Sequence, residues 1–126
     1  GCYVGVFGED WLETSVKDLQ EIKRIHAFAT GQFVLANRIS YEFDFRGPSM
    51  TVLTACSSSL VALHQACQAL YSGECSSAII AGSNLSPSPT MTGTLSDNNV
   101  LSPGGICRTF DQDANGYQSM FPNPHG

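Results

Sequence analysis

No apolar run in this chain approaches the roughly 18 residues of a membrane-spanning helix, and no basic-then-apolar leader marks a secretory signal. Basic residues are scarce. Six Lys and Arg stand against eleven Asp and Glu, a formal net charge of -5 with a pI near 4.9, so there is no cationic footprint for nucleic acid or an anionic membrane. The five cysteines are odd in number and follow no repeating pattern. They fit reduced thiols in the cytoplasm better than a disulfide scaffold. Cys67, Cys75 and Cys107 lack paired zinc-ligand spacing, so no metal is expected, and two of them are expected to pack as small hydrophobes. Internal repeats, low-complexity linkers and an initiator Met are also absent. With 126 residues the chain is long enough for one small core. Its start at Gly1, directly inside a strand-like segment, points to a piece of a larger protein.

What is present concentrates in Gly47 to His64, which reads as a buried strand delivering Cys56 onto the first turn of a helix. Met50 to Ala55 is apolar or Thr, as in a strand covered on both faces. Ser57, Ser58 and Ser59 offer hydroxyls to the unpaired N–H groups of a helix start. Leu60, Leu63, Cys67 and Leu70 then recur at helical spacing as the buried face, and Gly73 suits the C-terminal cap. Ala78 to Gly82 reads as the next strand, so the unit is strand, helix, strand with a right-handed crossover between parallel strands. Cys56 thus falls at the carboxyl end of a parallel strand, where open α/β sheets place their sites. Helix-terminal dipoles favour an anion by about 0.3 to 1 kcal/mol. Cys56 is therefore expected to be partly thiolate near neutral pH and the most reactive of the five, with Cys67 the least reactive. The same N–H groups could hold an oxyanion. A buried structural cysteine is the ordinary alternative for a lone thiol, and the elbow argues against it.

The remaining segments are ordinary α/β material. Tyr3 to Phe7 predicts a strand, Gly8 to Asp10 a surface loop, Ser15 to Ala29 a charged helix and Val34 to Ile39 a shorter one. Ser86-Pro-Ser-Pro89 cannot continue a helix or a central strand. Thr90 to Asn98 predicts a loop or short surface helix, and Leu101 to Gly105 a turn. No histidine is given a catalytic role. His64 lies eight residues after Cys56, about 12 Å along a helix axis, and reads as a packing residue. His26 falls on the charged helix, and His125 in a Pro- and Asn-rich tail. Asp111-x-Asp113-x-Asn115-Gly116 opens like a calcium loop, but Pro122 stands where the bidentate Glu is required, so calcium is not expected. Asn84-Leu-Ser86 fits a glycosylation acceptor, without consequence in a cytosolic protein.

Thr54-Ala-Cys-Ser-Ser-Ser-Leu-Val-Ala-Leu-His64, preceded by Arg46-Gly-Pro-Ser-Met-Thr51, closely resembles the active-site segment of β-ketoacyl synthases. It is most similar to the ketosynthase domains of polyketide synthases, and among these to the fungal iterative enzymes. The similarity extends upstream through Leu35 to Tyr41 and Phe43-Asp44. Downstream it takes in Ala81 to Asn84, Leu101-Ser-Pro103, Phe110-Asp111 and Asn115-Gly116. The resemblance implies a thiolase-like α/β fold, of which residues 1–117 would form the N-terminal half around a buried, mainly parallel sheet. Residues 118–126 would be a divergent tail. It further implies decarboxylative Claisen condensation of an acyl thioester with a malonyl-type extender. Cys56 would be the nucleophile that takes the acyl chain, its backbone N–H contributing to the oxyanion hole. No cofactor is bound directly in this reading; substrates ride on the 4'-phosphopantetheine arm of an acyl carrier protein. The implied partners are that carrier and the acyltransferase domains of the same megasynthase, with a homodimer for the complete domain.

Several positions depart from the family pattern. Leu53 stands where Asp is usual, Gly104 replaces another frequent Asp, and the chain is about two residues shorter between Gly31 and Leu35. The glycine- and glutamate-containing stretch expected after Tyr117 is missing. The family's two catalytic histidines belong further downstream. A non-catalytic remnant or dimerising fragment is therefore the alternative reading. A thiol hydrolase with a similar elbow is the third, disfavoured because no Ser/Cys-x-Gly pattern surrounds Cys56 and no partnered base is visible.

Overall fold

The computed structural model describes residues 1–8, 10–15, 28, 30–85 and 88–118. His26, His125 and most of the helix expected from Ser15 to Ala29 lie outside the described residues. The chain divides into two compact units, residues 1–85 and 86–126. The first contains β1 (Cys2–Phe7), α1 (Asp10–Ser15), α2 (Val34–Glu42), β2 (Ser49–Val52), a 3-10 turn (Ala55–Ser57), α3 (Ser58–Ser72) and β3 (Ile79–Asn84); the second begins with α4 (Pro89–Asp97).

The three strands form one parallel sheet in the order β2-β1-β3. Val4 pairs with Thr51 on one side and Ala81 on the other. Alternate residues of β1 feed opposite faces, as the pleat requires. Cys2, Val4 and Val6 pack with Ala36 of α2, joined by Ile39, Phe45 and Ala81. Tyr3 packs on the other face with Ala62, Ala66 and Ala69 of α3, joined by Val52, Cys75 and Ala78. The result is helix, sheet, helix, with β1 as the doubly covered strand. α2 is tied to β2 through polar groups as well: Ser40 Oγ donates to Ser49 Oγ at 2.7 Å, and Ser49 Oγ donates to Asn37 Oδ1 at 3.0 Å.

The strand expected over Met50 to Ala55 differs in place and burial. It runs from Ser49 to Val52 at the edge of the described sheet and is half-buried, while Leu53, Thr54 and Ala55 are exposed. The central, doubly covered position goes to β1, so β2 keeps one open side. The crossover through α3 does return a parallel strand, but β3 lands on the far side of β1.

The buried face of α3 is a second correction. Ala62, Ala66 and Ala69 face the sheet, whereas Leu60, Leu63 and Leu70 are exposed. Close approach explains the choice. A Cβ on Gly5 of β1 would sit 2.4 Å from the Ser59 nitrogen, and one on Gly82 of β3 would sit 3.1 Å from Ser59 Cβ. A helix seated this tightly has room for alanine beneath it and none for leucine. Its end is as expected: Gly73 adopts φ +77 and its N–H bonds the Leu70 carbonyl.

Smaller differences occur elsewhere. α1 already begins at Asp10, where a loop was expected, and α2 continues past Ile39 to Glu42. In the second unit Ser88 caps α4, its side chain accepting the Thr90 N–H at 3.3 Å with Pro89 in the first turn. The Leu101 turn forms, with the Gly105 N–H on the Ser102 carbonyl at 2.9 Å, and Leu101 bridges Tyr117.

Candidate active site

Cys56 lies in the middle of the 3-10 turn that precedes α3, one step earlier than the first α-helical turn where the sequence placed it. Two residues, Leu53 and Thr54, lie between the end of β2 and that turn. The reversal between strand and helix is made at Ala55, whose φ is +55. A left-handed conformation costs a non-glycine residue roughly 1 to 2 kcal/mol, and it persists where neighbouring interactions over-determine it.

Those interactions come from the serines. Ser57, the residue before α3, makes no side-chain cap. Its Oγ instead donates backwards to the Thr54 carbonyl at 2.7 Å and lies 3.0 Å from Thr54 Oγ1. Ser58 Oγ accepts the Thr54 N–H at 2.8 Å and reaches the Ala55 carbonyl at 2.6 Å and the Val6 carbonyl of β1 at 2.9 Å. Ser59 fills the space left by Gly5 and Gly82. The three serines therefore hold the elbow rather than cap the helix, and β1 anchors it from below.

The Cys56 thiol is exposed and free. Cys2 is fully buried, Cys67 and Cys75 are partly buried, and Cys107 is exposed like Cys56. Cys2, not Cys67, is thus the most sheltered thiol, because the sheet-facing stripe of α3 misses position 67. His64 is exposed on α3, so it does not pack as expected.

A cavity of about 160 Å³ opens at the carboxyl ends of β1 and β3, lined by Phe7 and Leu85 together with Trp11, Leu12, Gln32 and Leu35. Gln32 donates its amide to the Gly8 carbonyl at 2.8 Å, while its buried Oε1 has no hydrogen-bond partner among the described residues. Nothing in the residue pattern singled out Gln32 or this cavity, since α1 and the approach to α2 meet only in three dimensions. Strand carboxyl ends are where open α/β sheets bind ligands.

Among the described residues no group of three or more His, Cys, Asp or Glu could hold a metal ion. In the calcium-like stretch, Asp111 Oδ1 accepts the Asp113 N–H at 2.8 Å and Asn115 Oδ1 accepts from Ser102 Oγ at 2.8 Å, so these oxygens hold a turn. No helix among the described residues is long and apolar enough to cross a membrane.

Comparison with known proteins places the chain in a family. A highly reducing polyketide synthase of Fusarium sp is 60% identical over 117 residues, covering 93% of this chain and 5% of the relative. That of Gibberella moniliformis is 51% identical over 93% of this chain and 4% of its own length. The chain thus spans about a twentieth of these relatives. Among solved structures, the oxazolomycin ketosynthase domain of Streptomyces albus JA3453 matches with a TM-score of 0.75 and 35% identity, over 93% of this chain and 20% of that one. The ketosynthase from module 6 of the Bacillus subtilis 168 bacillaene synthase matches with a TM-score of 0.73 and 30% identity, over 93% and 19%. The fold is accordingly an N-terminal part of the thiolase-like α/β fold of ketosynthases. The family profile described as the N-terminal domain of β-ketoacyl synthase matches residues 1–119, and the chain belongs to that family.

Proposed function

We propose that this chain carries the nucleophile of a polyketide synthase ketosynthase that elongates an acyl chain by decarboxylative Claisen condensation. The observation that carries the reading is the exposed Cys56 thiol at a left-handed elbow, at the carboxyl end of a parallel sheet, in a chain of this family. In the first step the Cys56 sulfur attacks the acyl thioester carbonyl, and the carrier's thiol leaves as the donor C–S bond breaks. Backbone N–H donors at the elbow, that of Cys56 included, stabilise the transient oxyanion. In the second step the malonyl-type thioester loses CO2, and the resulting enolate carbon attacks the acyl-Cys56 carbonyl. Cys56 departs as thiolate, leaving a β-ketoacyl thioester on the carrier. In the family, two histidines downstream of the block that matches Phe110 to Tyr117 assist decarboxylation and stabilise the enolate.

Both substrates ride on the 4'-phosphopantetheine of an acyl carrier protein, and this chain holds no cofactor itself. Carrier and acyltransferase domains of the same megasynthase, and a second copy of the ketosynthase, are the partners. The free cysteines and net negative charge suit work in the cytoplasm. Similarity to highly reducing fungal synthases supports a polyketide chain as the product class. The test is product formation by the full-length protein supplied with acyl and malonyl groups. Cys56→Ala should abolish the β-ketoacyl product, and elongation persisting in that variant would overturn the proposal.

A further inference from the structure

We infer that Ser58 is a positioning residue for the Cys56 thiol: its buried hydroxyl fixes the elbow that aims sulfur and oxyanion donor together. The inference rests on the reading of Cys56 as the acyl-accepting nucleophile. Ser58 is only 3% exposed. Its Oγ accepts the Thr54 N–H at 2.8 Å and lies 2.6 Å from the Ala55 carbonyl and 2.9 Å from the Val6 carbonyl. A hydroxyl has one proton and two lone pairs. It therefore takes the Thr54 proton and gives its own to one carbonyl or shares it between the two. One oxygen thus gathers the two residues before Cys56 and the central strand. β2 has already ended at Val52, which pairs with Gly5, so Ser58 joins β1 to the chain just beyond the last rung of the ladder.

Without that hydroxyl, Thr54 loses its acceptor and the left-handed Ala55 loses the contact that opposes its relaxation. Cys56 follows Ala55 directly, so relaxation moves its sulfur and its backbone N–H together. Ser57 cannot stand in, because its exposed hydroxyl engages the Thr54 carbonyl and side chain and has no bond to β1. Two reactions of the same thiol separate positioning from exposure. Alkylation by iodoacetamide needs only an accessible thiolate. Acyl transfer also needs the carbonyl oxygen placed on its donors while the sulfur attacks.

The experiment compares both reactions at Cys56 in the full-length protein, read by peptide mass spectrometry. Acetyl N-acetylcysteamine thioester is the acyl donor. Sulfur bonds the acetyl carbon, the donor C–S bond breaks, and N-acetylcysteamine leaves as a thiolate that takes a proton from water. Ser58→Ala should slow acyl transfer at least about fivefold, the scale set by leaving a buried hydrogen-bonding group unmade, with alkylation far less changed. Ser58→Thr, which keeps the hydroxyl, should recover acyl transfer. Cys2, fully buried in the folded chain, reports folding in every sample. Should Cys2 become labelled in Ser58→Ala, hydrogen exchange in the unaltered protein decides: the Thr54 amide should be protected, and free exchange there overturns the inference. Unchanged acyl transfer in folded Ser58→Ala, or an equal fall in both reactions, overturns it as well. An unaltered protein whose Cys56 takes no acyl group defeats the nucleophile reading itself, and this inference with it.

Discussion

Ala55 shows how much chemistry depends on one backbone angle. At φ +55 it turns the chain between β2 and α3, so the residue before Cys56 must tolerate the left-handed region. Glycine does so freely and a β-branched residue does not. Ala55→Gly should therefore keep acyl transfer to Cys56, whereas Ala55→Val should lower the melting temperature and suppress the transfer. Thermal melts paired with the acylation assay check both. Tyr3 offers a second test at this scale. Its ring is buried against the alanines of α3, with Cys75 packed beside it. Burial raises the phenol above its ordinary value of 10.0, and the nearby Cys75 and Glu74 act in the same direction. Folding thus favours the neutral phenol. This contribution is complete below the unfolded value and is lost as the pH climbs through the higher folded one. Tyr3→Phe removes the ionisable phenol and should flatten the alkaline decline in stability. Urea midpoints from neutral to strongly alkaline pH measure this, and an unchanged alkaline slope would contradict it.

For the elements, the informative contact is α3 against the sheet. Ala62, Ala66 and Ala69 lie beneath a helix whose start rests on Gly5 and Gly82. Ala66→Leu forces extra carbons into this contact and should destabilise the fold by roughly 1 to 3 kcal/mol. Denaturant unfolding would show it, and a neutral effect would mean the helix is seated less tightly than described. The existence and end of α3 were legible from hydrophobic period and from Gly73. Its inward face was not, because Leu60, Leu63 and Leu70 share a helical spacing just as the alanines do, and greater hydrophobicity pointed to the wrong stripe. Only the two glycines on separate strands reveal the close seat, and their convergence on Ser59 is a tertiary fact. The edge position of β2 was hidden for a similar reason: its apolar and β-branched residues suit a covered strand, but β1 occupies the centre.

Across the whole molecule, the family was legible from the contiguous run around Cys56, and the same run is what nominates Cys56 as the nucleophile. Its surroundings were not legible. The left-handed Ala55 and the backward bonds of Ser57 and Ser58 to Thr54 are local but carry no mark in residue type, while the Ser58 bond to Val6 and the Gln32-lined cavity join residues distant in the chain. Cys107, exposed in the second unit, provides a natural control for accessibility. The decisive experiment for Cys56 as the acyl acceptor is therefore to expose the full-length protein to limiting acetyl N-acetylcysteamine thioester and map the acyl group by peptide mass spectrometry, with and without denaturant. Acetyl should appear on Cys56 well ahead of Cys107 in the folded protein, with the preference lost on unfolding. Acetyl on Cys107 or Cys75 at an equal or faster rate in the folded protein would contradict the assignment of Cys56 as the activated nucleophile.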